Sequence, residues 1–544
     1  MLATDIIREH EQMVSQRGIW EQHWREIAER VLPRNNWFQA TDKVEGEKRT
    51  EKVFDATAGL ALDRFAAAME SMLTPRTQQW HKLKVRTPEL KDNGEIQAYL
   101  DEVTQILFQV RYSPRANFAS QAHENYISLG AFGSGAILIE DIMGFGIRYK
   151  SIHLSEIYFC ENHAGVIDKV HRKFEMTARQ AAQKWGIDKI PEKIRTALEK
   201  SPEQKFEFIH CVKPNEDFKS GRMNYEGMPF ASYYLSLEGN QMVSRGGFKT
   251  FPYAISRYVT GPKEVYGRSP AMTVLPDIKM INEMSKTVIR AAHKIVDPPL
   301  LLQEDGVLQA FNTRPGALNY GGVDDQGRQT VTPLQTGARV DIGMDMMEQR
   351  RKVINDAFLI TLFQILVDAP NMTATEAMLR AQEKGALLAP TMGRQQSEML
   401  GPMIERELDI LARAGVLPPM PQALMEAEGE IEIEYVSPLN RAQRAEEGVA
   451  IMRTLEAVAP LAQIDPGVMD IFKPDEIARQ LAEINGVPAK ILRSKEEVMA
   501  IKEEQAQAAQ AQQLLEAAPI AANTARTLAE TQALAGNVPA ALPV

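Results

Sequence analysis

The chain has 544 residues, 44% hydrophobic and 25% charged, an ordinary composition for a globular protein, and at roughly 150 residues per domain it has room for two to four domains. A net charge of −10 excludes a protein that grips DNA tightly through its phosphates, because such proteins are normally basic. Two cysteines, Cys160 and Cys211, exclude a disulfide framework and suit a reducing compartment.

Met1-Leu2-Ala3-Thr4-Asp5 lacks a basic region followed by an apolar core and does not read as a signal peptide. Residues 5–32 read as an amphipathic helix whose apolar residues are Ile6, Ile7, Val14, Ile19, Trp20, Trp24, Ile27 and Val31, with a stop at Pro33. After a polar loop, Arg34 to Lys52, Asp55 is placed to cap a helix reaching Leu73, with Leu60, Phe65, Met69 and Met72 on its core face. Thr74-Pro75-Arg76-Thr77 breaks it, and Trp80 to Val85 alternates as a strand. Helices are expected at about Asn93–Tyr112 and Phe118–Leu129. Gly130 to Gly135 then turns into a strand, Ala136 to Glu140. Residues 147–175 alternate in short strands, Thr177–Trp185 and Pro191–Glu199 read as short helices, and Phe206–Val212, Ser232–Leu237 and Tyr253–Tyr258 read as strands. The N-terminal half is therefore α+β, with sheets built from hairpins.

Two long helical segments follow, Pro276 to Ile295 and Asp345 to Leu366. At ~1.5 Å per residue they are matched in length, roughly 30 and 33 Å. Between them lie Asp297-Pro298-Pro299-Leu300-Leu301-Leu302 and a Gly-rich stretch to Gly343. Ile278, Ile281, Ser285, Val288, Ala292 and Ile295 recur at steps of three and four, as do Met344, Met347, Arg351, Ile354, Phe358, Thr361 and Ile365. These are narrow seams suited to one partner helix. Lys279, Glu283, Lys286, Arg290 and Lys294 mark a separate charged face on the first helix. The second helix ends apolar on nearly every side, from Phe358 to Val367, so it needs more cover than one helix gives. Two arrangements satisfy the pattern: a stalk completed by neighbouring subunits, or a long hairpin inside one large helical core.

The longest apolar run, Ala357 to Val367, contains Thr361 and Gln364 and falls far short of the ~20 residues of a membrane span. The loop Asp368-Ala369-Pro370-Asn371-Met372-Thr373 precedes a helix from about Thr375 to Ala414 that Gly385, Pro390, Gly393, Gly401 and Pro402 should kink or break. Glu430 to Val436 alternates as a strand. Its glutamates Glu430, Glu432 and Glu434 read as a solvated face or a subunit contact. Residues 440–503 read as helices punctuated by Pro460, Pro466, Pro474 and Pro488, and the tail from Gln505 is rich in Ala and Gln. The 25 methionines suit contacts that slide or repack.

Catalytic chemistry finds little support. Gly130-x-x-Gly133-x-Gly135 follows a helix and opens a strand, the reverse of a phosphate cradle, and reads as a tight turn. There is no Walker lysine motif and no Gly-x-Ser-x-Gly elbow. His153, His163 and His171 lack the spacing of a metal site. No catalytic residue, metal ligand or cofactor is assigned. A nuclease would need clustered acidic metal ligands, which the pattern does not supply.

Several segments together resemble one family. Phe54-Asp55-Ala56-Thr57-Ala58-Gly59, Met72-Leu73-Thr74-Pro75 and Trp80-His81-Lys82-Leu83 resemble the early segment of portal (head-to-tail connector) proteins of short-tailed T7-like bacteriophages. Gly130-Ala131-Phe132-Gly133-Ser134-Gly135-Ala136, Tyr266-Gly267-Arg268-Ser269-Pro270 and Thr373-Ala374-Thr375-Glu376-Ala377 are similar to the same family, and their order spans roughly residues 5–500.

The resemblance implies a portal fold assembled as a ring of about twelve copies around a channel. It would comprise a wing (1–262), a first stem helix (263–297), a β-containing clip (298–340), a second stem helix (341–367), a tunnel loop (368–374), a kinked wing helix with a returning strand (375–438), a helical crown (439–505) and a C-terminal tail (506–544). It implies a capsid vertex of the virion, with host cytoplasm as the place of assembly. The implied partners are the terminase, tail adaptor and nozzle proteins, major capsid and scaffolding proteins, and double-stranded DNA in the channel. Asp368, Ala369, Pro370, Asn371, Met372 and Thr373 would form the tunnel loop. Lys279, Lys286, Arg290, Lys294, Arg350, Arg351 and Lys352 are candidates for channel cations or for pairing, with Glu283, Glu348 or Asp356 or with acids of a neighbouring stem. Gln303, Glu304, Asp305 and Arg314 are candidates for docking at the clip.

Overall fold

The computed structural model describes residues 3–35, 37–38, 46, 50–87, 90, 93–142, 146–302, 312–334, 340–361, 389–426, 430–436, 438–462, 471–484, 493, 497–505 and 507–508. Helix and sheet are mixed, as the α+β reading expects, and the chain divides into two compact units. One comprises Met1–Trp80, Ile106–Leu417 and Tyr435–Ala442; the other comprises His81–Gln105, Pro418–Glu434 and Gln443–Val544.

The first unit is organised by an antiparallel five-stranded sheet, order β4-β5-β6-β7-β8: β4 (Ile157–Glu161), β5 (Ile167–Thr177), β6 (Lys205–Pro214), β7 (Phe230–Ser236) and β8 (Gln241–Phe248). Alternation assigns its two faces. Phe206 and Phe208 point one way and pack with Phe174 against α5 (Ala178–Trp185) and α6 (Glu192–Lys200) through Ala178, Ala181, Ile194 and Ala197. Cys211 points the other way and packs with Ala231, Tyr233 and Leu235 against Ile6 of α1 (Ala3–Arg30). Arg17 ties α1 down. Its Nη1 donates to the carbonyls of Leu154 at 2.9 Å and Ile157 at 2.5 Å, and its guanidinium lies 3.5 Å from the Tyr158 ring centroid. Val14 and Ile19, expected on the buried face of this helix, are exposed, because the buried stripe runs through His10, Met13 and Arg17 instead.

A three-stranded antiparallel sheet, β3-β2-β9, lies beside it: β2 (Ser134–Ile142), β3 (Gly146–Ile152) and β9 (Tyr253–Arg257). α2 (Thr57–Leu73) packs on α4 (Phe118–Phe132), which leads into β2. The expected tight turn is Gly133, at φ +78°. A Cβ there would stand 2.3 Å from the Gly267 carbonyl oxygen, so only glycine fits.

Two details of α2 correct the sequence reading. The cap position is Ala56, and Asp55 acts one residue earlier by accepting the Thr57 N–H at 2.9 Å. Leu60 is exposed. The core face runs instead through Ala58, Ala61, Leu62, Phe65, Ala66, Met69 and Leu73.

In the second unit β1 (His81–Val85) pairs with β12 (Ile431–Tyr435), and Lys84 meets Glu434 at 2.9 Å while Arg86 meets Glu430 at 2.8 Å. Glu430 stays largely exposed in its pair, as expected of a solvated face, while Glu434 is partly covered. The helix Pro438–Ala462 runs through Pro460 instead of stopping there, since proline near a helix end displaces little. Further helix follows at Pro474–Ile484.

Candidate functional site

The candidate stem is the hairpin of α8 (Leu275–Val296) and α9 (Val340–Ala357). The two helices are antiparallel. Asp277 contacts Arg350, Ser285 Oγ contacts Met347 Sδ at 3.3 Å, and Gly343 abuts Val288, so rising numbers in α8 meet falling numbers in α9. Ile278, Ile281, Met347, Ile354 and Phe358 are buried, but Ile295 and Met344 of the same seams are exposed. The hairpin is thus packed at its base and bare toward its tip.

The base is fastened by polar contacts. Asn282 Oδ1 accepts the backbone N–H groups of Phe54 and Asp55, and Arg351 donates to Asp55 Oδ2 at 2.9 Å. Burial raises the Asp55 carboxyl, but hydrogen bonds from Thr57 and Arg351 outweigh it and hold the group below the usual carboxylate range. Lys279 Nζ reaches both carboxylate oxygens of Glu26 at 2.7 Å. Phe358 meets Phe65 edge to face at 6.3 Å.

α9 differs from the expected Asp345–Leu366 segment. It starts at Val340 and ends at Ala357, where the Phe358–Leu359 turn places Leu359 at φ +60° and seats Phe358 in the base. Residues 362–367, the rest of the expected apolar end, lie outside the described residues.

At the other end of the hairpin, β10 (Leu300–Leu302) pairs antiparallel with β11 (Val331–Pro333), Leu301 opposite Thr332. Leu318, Tyr320 and Val323 are exposed there, at 81%, 78% and 61%. Arg314 is exposed nearby. Gln303, Glu304 and Asp305 lie outside the described residues.

The seven candidate cations divide. Lys279 is held by Glu26, Lys286 lies 3.8 Å from Glu283, Arg350 pairs with Asp277 at 2.8 Å, and Arg351 pairs with Asp55 and Glu348. Among the described residues, Arg290, Lys294 and Lys352 have no ion-pair partner. Lys352, Asp345 and Glu348 line an open concavity of about 530 Å³ together with Arg64 of α2.

The tunnel-loop candidates Asp368, Ala369, Pro370, Asn371, Met372 and Thr373 also lie outside the described residues. The described chain is pinned on both sides of that gap, by Phe358 before it and by residues 392–400 after it. Gln396–Leu400 is a π turn leading into α10 (Gly401–Arg413), at the Gly401-Pro402 position where a kink is expected. Arg257 grips this turn. Its Nε and Nη2 donate to Glu398 at 2.9 and 2.8 Å, while Nη1 donates to Glu161. Gln395 donates to the Arg257 carbonyl at 2.7 Å, and Tyr435 donates to the Gln396 carbonyl at 3.0 Å.

Sequence reasoning missed the deepest polar site, Arg111 with Glu407. Both are almost completely buried, Arg111 Nη2 donates to Glu407 Oε2 at 2.5 Å, and Tyr149 donates to Glu407 Oε1. Nearly 300 residues of sequence separate the pair, so no local pattern could reveal it. His171 is also buried; its Nε2 lies 3.1 Å from Cys211 Sγ and its ring stacks on His10. Among the described residues no group of His, Cys, Asp and Glu is arranged to hold a metal ion. Nor is any described helix long and apolar enough to cross a membrane.

Comparison with known proteins gives the same direction as the hairpin. The family described as "Bacteriophage head to tail connecting protein" matches residues 3–492. The chain is similar to the portal protein of Salmonella phage epsilon15, 28% identical over 97% of this chain and 95% of that one. It is also similar to the probable portal protein of Bordetella phage BPP-1, 27% identical over 92% of this chain and 91% of the other.

Proposed function

The chain belongs to the bacteriophage head to tail connecting proteins, and we propose that it works as the portal of its virion: a ring at one capsid vertex through which the genome passes. The observation that carries this reading is the match along nearly the whole chain to a connecting family, including the hairpin. A head-to-tail connector is a structural part and not an enzyme, and its work is geometric.

In this reading a ring of about twelve copies closes by one repeated contact. The α8–α9 hairpin forms the stem, and the bare seam residues near its tip, Ile295 and Met344, are covered by adjacent copies. Residues 298–340 form the clip. Its exposed Leu318, Tyr320 and Val323, with Arg314, face the packaging motor first and tail adaptors later. Gln303, Glu304 and Asp305 belong to the same docking surface. The wing takes residues 1–262, closed by 375–438, and the crown takes 439–505. Residues 368–374 form the tunnel loop, slung between the pinned Phe358 and the gripped turn at Gln396–Leu400. A net charge of −10 per copy lets DNA slide without the counterion-release affinity that a basic wall would create.

Labelling intact particles tests the location. A probe against residues 312–334 should mark a single vertex of DNA-filled heads after the tail is removed. Label on every vertex, or on none, would contradict it.

A further inference from the structure

We propose that neighbouring copies join stem to stem through a charge register, with the outer face of α8 in one copy seated on the outer face of α9 in the next. This rests on the ring reading and adds to it the surfaces and the order of their pairs.

Two strips of opposite sign run along the hairpin. On α8, Lys279, Glu283, Lys286, Arg290 and Lys294 lie away from the buried Ile278, Ile281 and Ser285, with one acid among the bases. On α9, Asp345, Glu348, Lys352 and Asp356 lie away from the buried Met347 and Ile354, with one base among the acids.

Read in opposite directions, the strips match at each step. Lys279, at the base, stays with Glu26 of its own copy; beyond it Glu283 meets Lys352, Lys286 meets Glu348, and Arg290 meets Asp345. The sole acid of one strip falls opposite the sole base of the other. The next step carries Lys294 toward Asp341, again of opposite sign.

Opposite directions are what a ring requires. α8 and α9 are antiparallel within a copy, so α8 of one copy is antiparallel to α9 of the next. The register differs from the one inside the hairpin, where Ser285 meets Met347, by about three residues or ~4.5 Å. Stems tilted to the ring axis produce such an offset.

Burial agrees with this use. The contacts the strip residues make within a copy are loose and wet: Lys286 to Glu283 at 3.8 Å, and Glu348, largely exposed, to Arg351 at 3.3 Å. They can exchange for partners on a second copy. The open concavity that Asp345, Glu348 and Lys352 line with Arg64 of α2 leaves these strip residues reachable by a second copy. Exposed pairs add little affinity singly, but a run of them selects partner and direction, as flanking charges do in coiled coils. Joining unlike faces is a heterologous contact, the type that forms a ring when its rotation closes.

Three variants of the full chain test the register: Lys286→Glu with Arg290→Glu, Asp345→Lys with Glu348→Lys, and all four together. Circular dichroism confirms that each folds, and light scattering with negative-stain imaging counts rings. The expected result is at least a tenfold loss of ring for either pair alone and recovery in the fourfold swap. Mixing the two double variants should also restore rings, because each supplies the face the other lacks. Rings of unchanged yield from both double variants would overturn the register while leaving the ring reading intact. A wild-type chain that never forms a ring would overturn both.

Discussion

Asn282 Oδ1 accepts the backbone N–H of Asp55 at 3.1 Å, and that of Phe54 at 2.7 Å, so one side chain on α8 satisfies two donors at the mouth of α2. Its own Nδ2 donates back to the Ile278 carbonyl at 2.8 Å, which fixes the rotamer. The hairpin helix α8 and the start of α2 are thereby joined by two hydrogen bonds from backbone donors to one side chain.

Asn282→Ala should therefore destabilise the fold by about 2 kcal/mol, the cost of leaving buried donors unmet. Asn282→Asp keeps the acceptor but loses the donor to Ile278 and buries a charge, so it should cost more. Denaturant unfolding of the two variants would check the order, and equal losses would contradict it.

Glu407→Gln should cost about 3–5 kcal/mol, because it leaves the Arg111 charge buried without its counter-ion. Arg111→Met with Glu407→Leu, which removes both charges, should recover much of that loss. Thermal melts of the single and double variants decide between a pair that stabilises and one that is only costly to break.

Acid should loosen α1. Burial holds His10 down to about 4 and His171 down to about 3, with Lys173 and Arg17 adding to the first, and His10 itself, Lys169 and Lys213 to the second. Both values lie below the unfolded histidine value. The stabilisation is therefore whole above that value, about 6.5, and is lost as pH falls toward 4 and then 3. Melting temperature should decline over that window, and His10→Phe should flatten the upper part of the decline. An unchanged profile in the variant would assign the acid sensitivity to other groups.

Deleting Pro370–Met372 should leave ring assembly intact and impair genome packaging or retention. Assembly is expected to survive because the flanking anchors, Phe358 and the Arg257-gripped turn, do not depend on those residues. Heads that fill and hold DNA normally would refute the tunnel-loop assignment.

Much of this was legible in the sequence because it is periodic. The seams of three and four predicted α8 and the buried part of α9, and alternation predicted β12 and the sheet strands apart from β8. The glycines of 130–135 predicted a turn that the Gly133 backbone requires. What stayed hidden depends on remote partners. Leu60 reads as core by spacing, but smaller neighbours, Ala58 and Ala61, occupy the packed face. Leu359 reads as mid-helix, yet the seating of Phe358 on Phe65 coincides with the helix end. The pairing of Lys279 with Glu26 and Arg350 with Asp277 follows from which surfaces meet, so the charged stripe alone could not tell lumen from anchor.

The most direct measurement is an end-on reconstruction of the purified chain together with its mass. The account predicts a closed ring of about twelve copies of 60.9 kDa, with the α8–α9 hairpins forming the wall of a central hole. A particle of one or two chains, at every salt and concentration tried, with the hairpin folded against its own chain, would contradict it.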